Sequence, residues 1–163
     1  MIEKIKKIST VITDIDGVWT DGGMYYDETG NEFKKFNTRD GMGVERLRNF
    51  GIETVIFTSE DTNIVRKRAK KLHIKNCFVG VKDKKKLLKL FCQKNKIDIN
   101  AIAYIGDDLN DFGAMEIAGF TACPNDAFKD ILESVDYICK TNGGMGVFRE
   151  FAELIMEKQN ESN

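Results

Sequence analysis

Of 163 residues, one is proline and one is histidine. With Pro124 alone there is no proline-rich linker to divide the chain, and His73 alone rules out metal sites built on two histidines. The four cysteines, Cys77, Cys92, Cys123 and Cys139, show no C-x-x-C spacing. Three of them stand among apolar residues and read as small core fillers in a reduced, cytoplasmic setting. No apolar run approaches the ~18–20 residues of a membrane span. Residues 1–7 lack the apolar core and cleavage site of a signal peptide. The formal net charge is −1, so no global field favours nucleic acid or a membrane surface. The basic stretches at 66–75 and 82–96 read as solvated helix faces, because neighbouring acids cancel them.

What is present is an ordinary soluble composition, 42% hydrophobic and 31% charged, in a chain long enough for one domain with a real core. Strand and helix patterns alternate. Strands are expected at 8–13, 52–58, 77–79, 102–105, 120–123 and 137–139. Helices are expected at 40–50 with Asp40 as N-cap, 62–72 with Thr62 as N-cap, 84–96, 112–117, about 127–132 and from about 147. Segments 24–27 and 32–37 flank a Gly-containing turn and read as a β-hairpin. This alternation predicts an α/β fold, a Rossmann-like parallel sheet with helices on both faces. One domain is expected over residues 1–158, with a loose tail at 159–163.

In such sheets ligands bind beyond the C-terminal strand ends. There the chain places Asp14 and Asp16, then Thr58, then Lys84, then Asp107 and Asp111. A phosphate monoester is a dianion, and two unit charges at ~4 Å repel by ~4 kcal/mol at an effective dielectric near 20. A Mg²⁺ ion removes that penalty and polarises the phosphoryl group. Asp14 and Asp107 would hold it, and Asp111, if Asp107 opens a helix, would point to the same side and hold metal-bound water. Thr58 suits a hydrogen bond to a phosphoryl oxygen and Lys84 a fixed positive charge. One acid of the Asp14/Asp16 pair can attack phosphorus, and the other can protonate the leaving alkoxide and then activate water.

Asp14-x-Asp16-Gly-Val, Thr58-Ser59, Lys84 and Gly106-Asp107-Asp108-x-x-Asp111 resemble, in order, the four motifs of the haloacid dehalogenase superfamily of phosphohydrolases. The resemblance implies that Asp14 is the nucleophile and that Asp16 is the general acid/base, its backbone carbonyl serving as a metal ligand. It likewise implies Thr58 and Lys84 as phosphate holders, and Asp107, supported by Asp111, as the metal-binding acid. Neither the gap from Asp14 to Thr58 nor that from Thr58 to Lys84 has room for a cap domain. The chain therefore resembles the capless branch. That branch includes the phosphatases of 3-deoxy-D-manno-octulosonate 8-phosphate (KDO 8-phosphate) and of its nine-carbon relative, KDN 9-phosphate. The phosphatase-like tail domain of acylneuraminate cytidylyltransferases is similar too.

In that branch the equivalent hairpin builds a tetramer whose neighbouring subunits complete each site. The hairpin at about 24–37 carries Met24, Tyr25, Tyr26, Phe33 and Phe36, more apolar groups than a projecting ribbon needs unless it meets a partner. For the substrate, the Phe36-Asn37-Thr38-Arg39-Asp40 stretch belongs to the resemblance, and Asn37 is a candidate contact with Ser59 and Glu60. Arg68 and Lys71, three apart on a helix, would face Glu60 and bind a sugar-acid carboxylate; a solvated helix face is the other reading. The Glu60, Arg68, Lys71 set resembles the nine-carbon branch and favours KDN or N-acetylneuraminate 9-phosphate, whereas Asp40-Gly41-Met42-Gly43 resembles the eight-carbon branch. Gly143–Gly146 reads either as a turn before the last helix or as backbone N–H groups that bind a carboxylate. Two other classes are a receiver domain, which places its acids before the Thr and Lys, and a non-catalytic oligomerisation domain. Degenerate domains of the latter kind tend to lose a catalytic acid; this chain keeps Asp14, Asp16 and Asp107.

Overall fold

A computed structural model describes residues 1–161. In chain order the elements are α1 (Ile2–Ile5), β1 (Thr10–Thr13), β2 (Tyr25–Tyr26), β3 (Glu32–Phe33), α2 (Thr38–Phe50), β4 (Glu53–Phe57), α3 (Asn63–Lys71) and β5 (Asn76–Phe78). Then follow α4 (Lys84–Asn95), a 3-10 turn (Ile99–Ala101), β6 (Ile102–Ile105), α5 (Leu109–Met115), β7 (Phe120–Cys123), α6 (Lys129–Leu132), β8 (Tyr137–Ile138) and α7 (Val147–Asn160). Six strands form one sheet in the order β5-β4-β1-β6-β7-β8, and every registered pair in it is parallel.

The strands are apolar on both sides because helices cover both faces. Val11, Ile56, Ala103 and Ile105 enter a core with Ile5, Leu47, Val65 and Phe148, from α1, α2, α3 and α7. Their alternates Ile12, Val55, Phe57 and Tyr104 join Leu88, Phe91, Met115 and Ile131, from α4, α5 and α6. Buried cysteines 92, 123 and 139 fill these two layers. The α/β reading is therefore correct. Between β1 and β4 lie only the β2–β3 hairpin and α2, and between β4 and α4 only α3 and β5, so no cap domain is inserted.

Local details differ from expectation. The hairpin pairs over only two residues per strand, Tyr25 with Phe33 and Tyr26 with Glu32; beyond Phe33 the chain is drawn toward the loop after β1 by lysine contacts described below. Asn37, not Asp40, caps α2, because the chain turns from extended to helical there and the Asn37 side chain accepts from the Arg39 N–H at 3.0 Å. Asp40 sits one turn in, is 1% exposed, and accepts from the Arg149 N–H at 3.1 Å. It thus caps α7 across the α2–α7 contact. Thr62 caps α3 as expected. The expected loose tail begins too early: α7 continues to Asn160, and Gln159 donates to the Ile5 and Ile8 carbonyls at 2.8 Å each, satisfying groups at the end of α1. Residues 162–163 of that expected tail lie outside the described residues.

Burial raises the Asp40 carboxyl from 3.8 to about 6, against the backbone N–H groups of Arg149 and Phe148 and the charge of Arg68. A carboxyl with a raised folded pKa binds more protons folded than unfolded between those two values. Its contribution to stability therefore falls as pH rises from about 4 to about 6, then stays constant. Denaturation of wild type and Asp40→Asn across pH 4–7 should show the variant gaining relative stability over that window, on the order of 2–3 kcal/mol. Parallel pH profiles would refute the assignment.

Candidate active site

β1 is the central switch of the sheet, with β4 on one side and β6 on the other, so the chain's acids arrive where strand order reverses. The Asp14 N–H donates to the Ile105 carbonyl at 3.0 Å, extending the β1–β6 ladder by one residue. Thr58 leaves β4 with its N–H on the Phe78 carbonyl at 3.0 Å. Asp107 follows β6, and Lys84 opens α4 behind the Asp83 cap.

These residues meet. Lys84 is 2% exposed, and its Nζ lies 2.9 Å from Asp14 Oδ1 and 2.7 Å from Asp111 Oδ1. Asp111 is fully buried; its Oδ1 also accepts from the Tyr104 hydroxyl at 2.8 Å, and its Oδ2 accepts from the Asp107 N–H at 3.2 Å. One expectation changes here. Asp108, not Asp107, caps α5. Asp111 Oδ1 is shared by Lys84 and Tyr104 and its Oδ2 is taken by the Asp107 N–H, which fixes the carboxylate beside Asp14 and Asp107.

The site carries excess negative charge. Asp14, Asp107 and Asp111 each present an oxygen, all within 4.8 Å of one another, against one lysine. Burial, then the neighbouring Asp111, holds the Asp14 carboxyl well above its ordinary range despite Lys84. Burial, with repulsion from Asp111 and Asp108, pushes Asp107 up to about 7. Lys84 stays charged: burial opposes it, but Asp14 and Asp111 outweigh burial and raise its pKa. Asp107 Oδ1 and Asp16 Oδ2 are buried without a hydrogen-bond partner. Gly17, at φ +86°, passes so close that a Cβ there would run into the Asp107 carboxylate. Few hard oxygen donors, two excess negative charges and no histidine or cysteine suit a small divalent cation of the Mg²⁺ type.

Thr58, Ser59 and Glu60 line one wall of a cleft of about 380 Å³ whose floor is Asp14, Asp16 and Asp107. Ser59 Oγ accepts from Asn110 Nδ2 at 2.9 Å, fixing the far wall to the near one. Three expected substrate contacts lie outside the cleft. Arg68 turns to α2, donating to the Asn37 carbonyl at 3.2 Å and lying over the Phe36 ring, because the buried Asp40 and that ring attract its guanidinium away from Glu60. Lys71 is exposed in the last turn of α3. Asn37 is committed to its cap and to the Gly144 carbonyl at 3.3 Å. Gly143–Gly146 is a turn: the Gly143 N–H binds Asp126 at 2.9 Å and the Gly144 N–H binds the Val18 carbonyl at 2.9 Å. A Cβ on Gly143 would strike the Gly17 carbonyl, so this turn buttresses the loop of Asp16.

Sequence reading missed Lys34, Asn110 and Tyr104. Lys34 Nζ lies 2.6 Å from Asp16 Oδ1. Period-two alternation through Glu32, Lys34 and Phe36 was the available signal for Lys34, and a phenol in a buried strand was the signal for Tyr104. Asn110 carried none. A second hollow, of about 470 Å³, opens beside Arg48, Glu53, His73 and Lys75 at the opposite edge of the sheet, away from this chemistry.

The haloacid dehalogenase-like hydrolase family matches residues 80–151. The 3-deoxy-D-manno-octulosonate 8-phosphate phosphatase of Haemophilus influenzae is 35% identical over all of this chain and 91% of its own length. The crystal structure of the same enzyme from Yersinia pestis superimposes with a TM-score of 0.95 at 32% identity, over 98% of this chain and 86% of that one. That from Moraxella catarrhalis, solved with magnesium, phosphate and KDO, does so with a TM-score of 0.95 at 36% identity, over 98% and 92%.

Because protons compete with a cation for Asp107, divalent-cation binding should weaken as pH falls through about 7. Thermal melts with increasing MgCl₂ should rise by several degrees at pH 8, rise less at pH 6, and stay nearly flat in Asp107→Asn. An equal rise in that variant would place the cation elsewhere.

Proposed function

The chain belongs to the haloacid dehalogenase-like hydrolases, in their capless sugar-acid phosphatase branch, and from its place as a phosphoric monoester hydrolase there we propose that it hydrolyses KDO 8-phosphate. The observation that carries the substrate is its 36% identity, over 98% of its length, to the Moraxella catarrhalis enzyme solved with magnesium, phosphate and KDO. The relatives support this eight-carbon alternative better than the nine-carbon reading of KDN or N-acetylneuraminate 9-phosphate. Two features behind the nine-carbon reading, Arg68 and Lys71, lie outside the cleft.

In this reading Asp14 attacks phosphorus and becomes an aspartyl-phosphate. Asp16 gives its proton to the leaving sugar alkoxide, then takes one from the water that cleaves the acyl phosphate. Lys84, already between Asp14 and Asp111, and Thr58 hold the phosphoryl oxygens. Asp14, Asp107 and the Asp16 backbone carbonyl would hold Mg²⁺, with Asp111 in support. When bound, the cation offsets the charge between carboxylate and phosphate and polarises the phosphoryl group. Ser59 and Glu60, at the cleft wall, contact the sugar acid.

The domain runs through the end of α7, at Asn160, and in this reading acts as a homotetramer in the cytoplasm. Met24, Tyr25, Tyr26 and Phe33 are 42–61% exposed on the hairpin, an apolar surface suited to a neighbouring subunit that completes the site. All four cysteines are unpaired, as a reducing compartment requires. No described helix is long and apolar enough to cross a membrane.

Steady-state phosphate release from KDO 8-phosphate, KDN 9-phosphate and N-acetylneuraminate 9-phosphate should depend on Mg²⁺ and favour the first in kcat/KM. Asp14→Asn should lose at least about 10³-fold in kcat with its melting temperature kept. A preference for a nine-carbon ester would restore that reading. The absence of release from all three would leave the non-catalytic oligomerisation domain.

A further inference from the structure

The chain past β3 alternates: Phe33 is 57% exposed, whereas the Lys34 side chain is turned inward and 1% exposed. Lys34 Nζ lies 2.6 Å from Asp16 Oδ1 and 3.1 Å from Glu32 Oε1. A buried ammonium is costly unless paired, and here two carboxylates pair it. The next residue, Lys35, reaches Asp21 at 2.8 Å, and the Tyr25 hydroxyl donates to the same Asp21 oxygen at 2.9 Å. The hairpin is thus tied at two consecutive residues to the loop that carries Asp16.

The two oxygens of Asp16 are treated unequally. Oδ1 takes Lys34 and, at 3.4 Å, the hydroxyl of the buried Thr20. Oδ2 is buried with no hydrogen-bond partner, in the cleft beside Asp14. We infer that Lys34 is a positioning residue for the phosphatase reaction: it clamps Oδ1 of Asp16 so that Oδ2 is the oxygen that exchanges the proton. In the first step the Oδ2–H bond breaks as the leaving alkoxide gains that proton. In the second, water loses a proton to Oδ2 as its oxygen bonds to phosphorus and the bond from phosphorus to Asp14 breaks. The inference rests on the reading of Asp16 as acid and base. Lys34 itself touches no reacting atom, so its effect passes through Asp16 alone.

A double-mutant cycle separates this from a merely structural role. Single-turnover release of KDO from KDO 8-phosphate is followed for wild type, Lys34→Met, Lys34→Arg, Asp16→Asn and Lys34→Met/Asp16→Asn, with a melting curve for each. Lys34→Met should slow release about 10–100-fold, with steady-state KM within about 3-fold, and Lys34→Arg should recover part of the loss. In the Asp16→Asn background Lys34→Met should cost less than about 2-fold. With 4-nitrophenyl phosphate, whose leaving group needs no proton, the Lys34→Met loss should shrink to within about 3-fold. An equal loss in both backgrounds, or on both esters, overturns the inference. Full activity in Lys34→Met beside an inactive Asp16→Asn overturns it alone. Full activity in Asp16→Asn overturns the acid/base reading and the inference with it.

Discussion

Lys84 is the ion on which the site depends. It is nearly inaccessible, yet it sits within 3 Å of two carboxylates that neither face of the sheet can solvate. Each of its neighbours is anchored in turn: Asp14 continues the β1 ladder, and Asp111 receives Tyr104 from β6 and the Asp107 N–H. One ammonium among three acids leaves the centre short of positive charge. The raised Asp14 and Asp107 carboxyls express that deficit. A divalent cation and a phosphoryl group are the guests that such a centre selects, the cation by charge and the phosphoryl group through the cation.

The rest of the molecule keeps this centre in place. The parallel sheet delivers the acids from adjacent strands, so their separation follows strand spacing rather than loop flexibility. Around the Asp16 loop, three segments converge. The Gly143–Gly146 turn packs onto Gly17 and Val18, the hairpin lysines bind Asp16 and Asp21, and Asn37 joins the start of α2 to the turn. Asp40 then ties α2 to α7 beneath them. No cap covers the cleft, and the hairpin turns its exposed aromatics outward while Lys34 faces in toward Asp16.

Much of this was legible before any coordinates. β6 and β7 lie where periodicity placed them, and the order of Asp14, Thr58, Lys84 and Asp107 along a βαβ chain already implied one edge of one sheet. Both depend on local rules: β-branched runs make strands, and parallel topology sends every strand's C-terminus to the same side. The residues that the fold of one chain does not bring to the cleft needed knowledge of direction. Arg68 and Lys71 share a helix face by spacing, but only packing shows that Phe36 and Asp40 draw Arg68 away from Glu60. Asp40 matched an N-cap by residue type, yet it caps a helix more than a hundred positions later.

The sequence by itself determined the kind of chemistry: the acids, the hydroxyl and the lysine, their order and the strands that carry them. Tertiary structure alone decided what each polar group is committed to. Asp111 was locked to Lys84 and Tyr104, the Gly143 and Gly144 amides were bound inside the chain, and a hairpin lysine reached the acid/base carboxylate. The physical reason is burial. A residue type states which bonds a side chain can make, but only its removal from water forces those bonds onto particular partners, and these partners are distant in sequence.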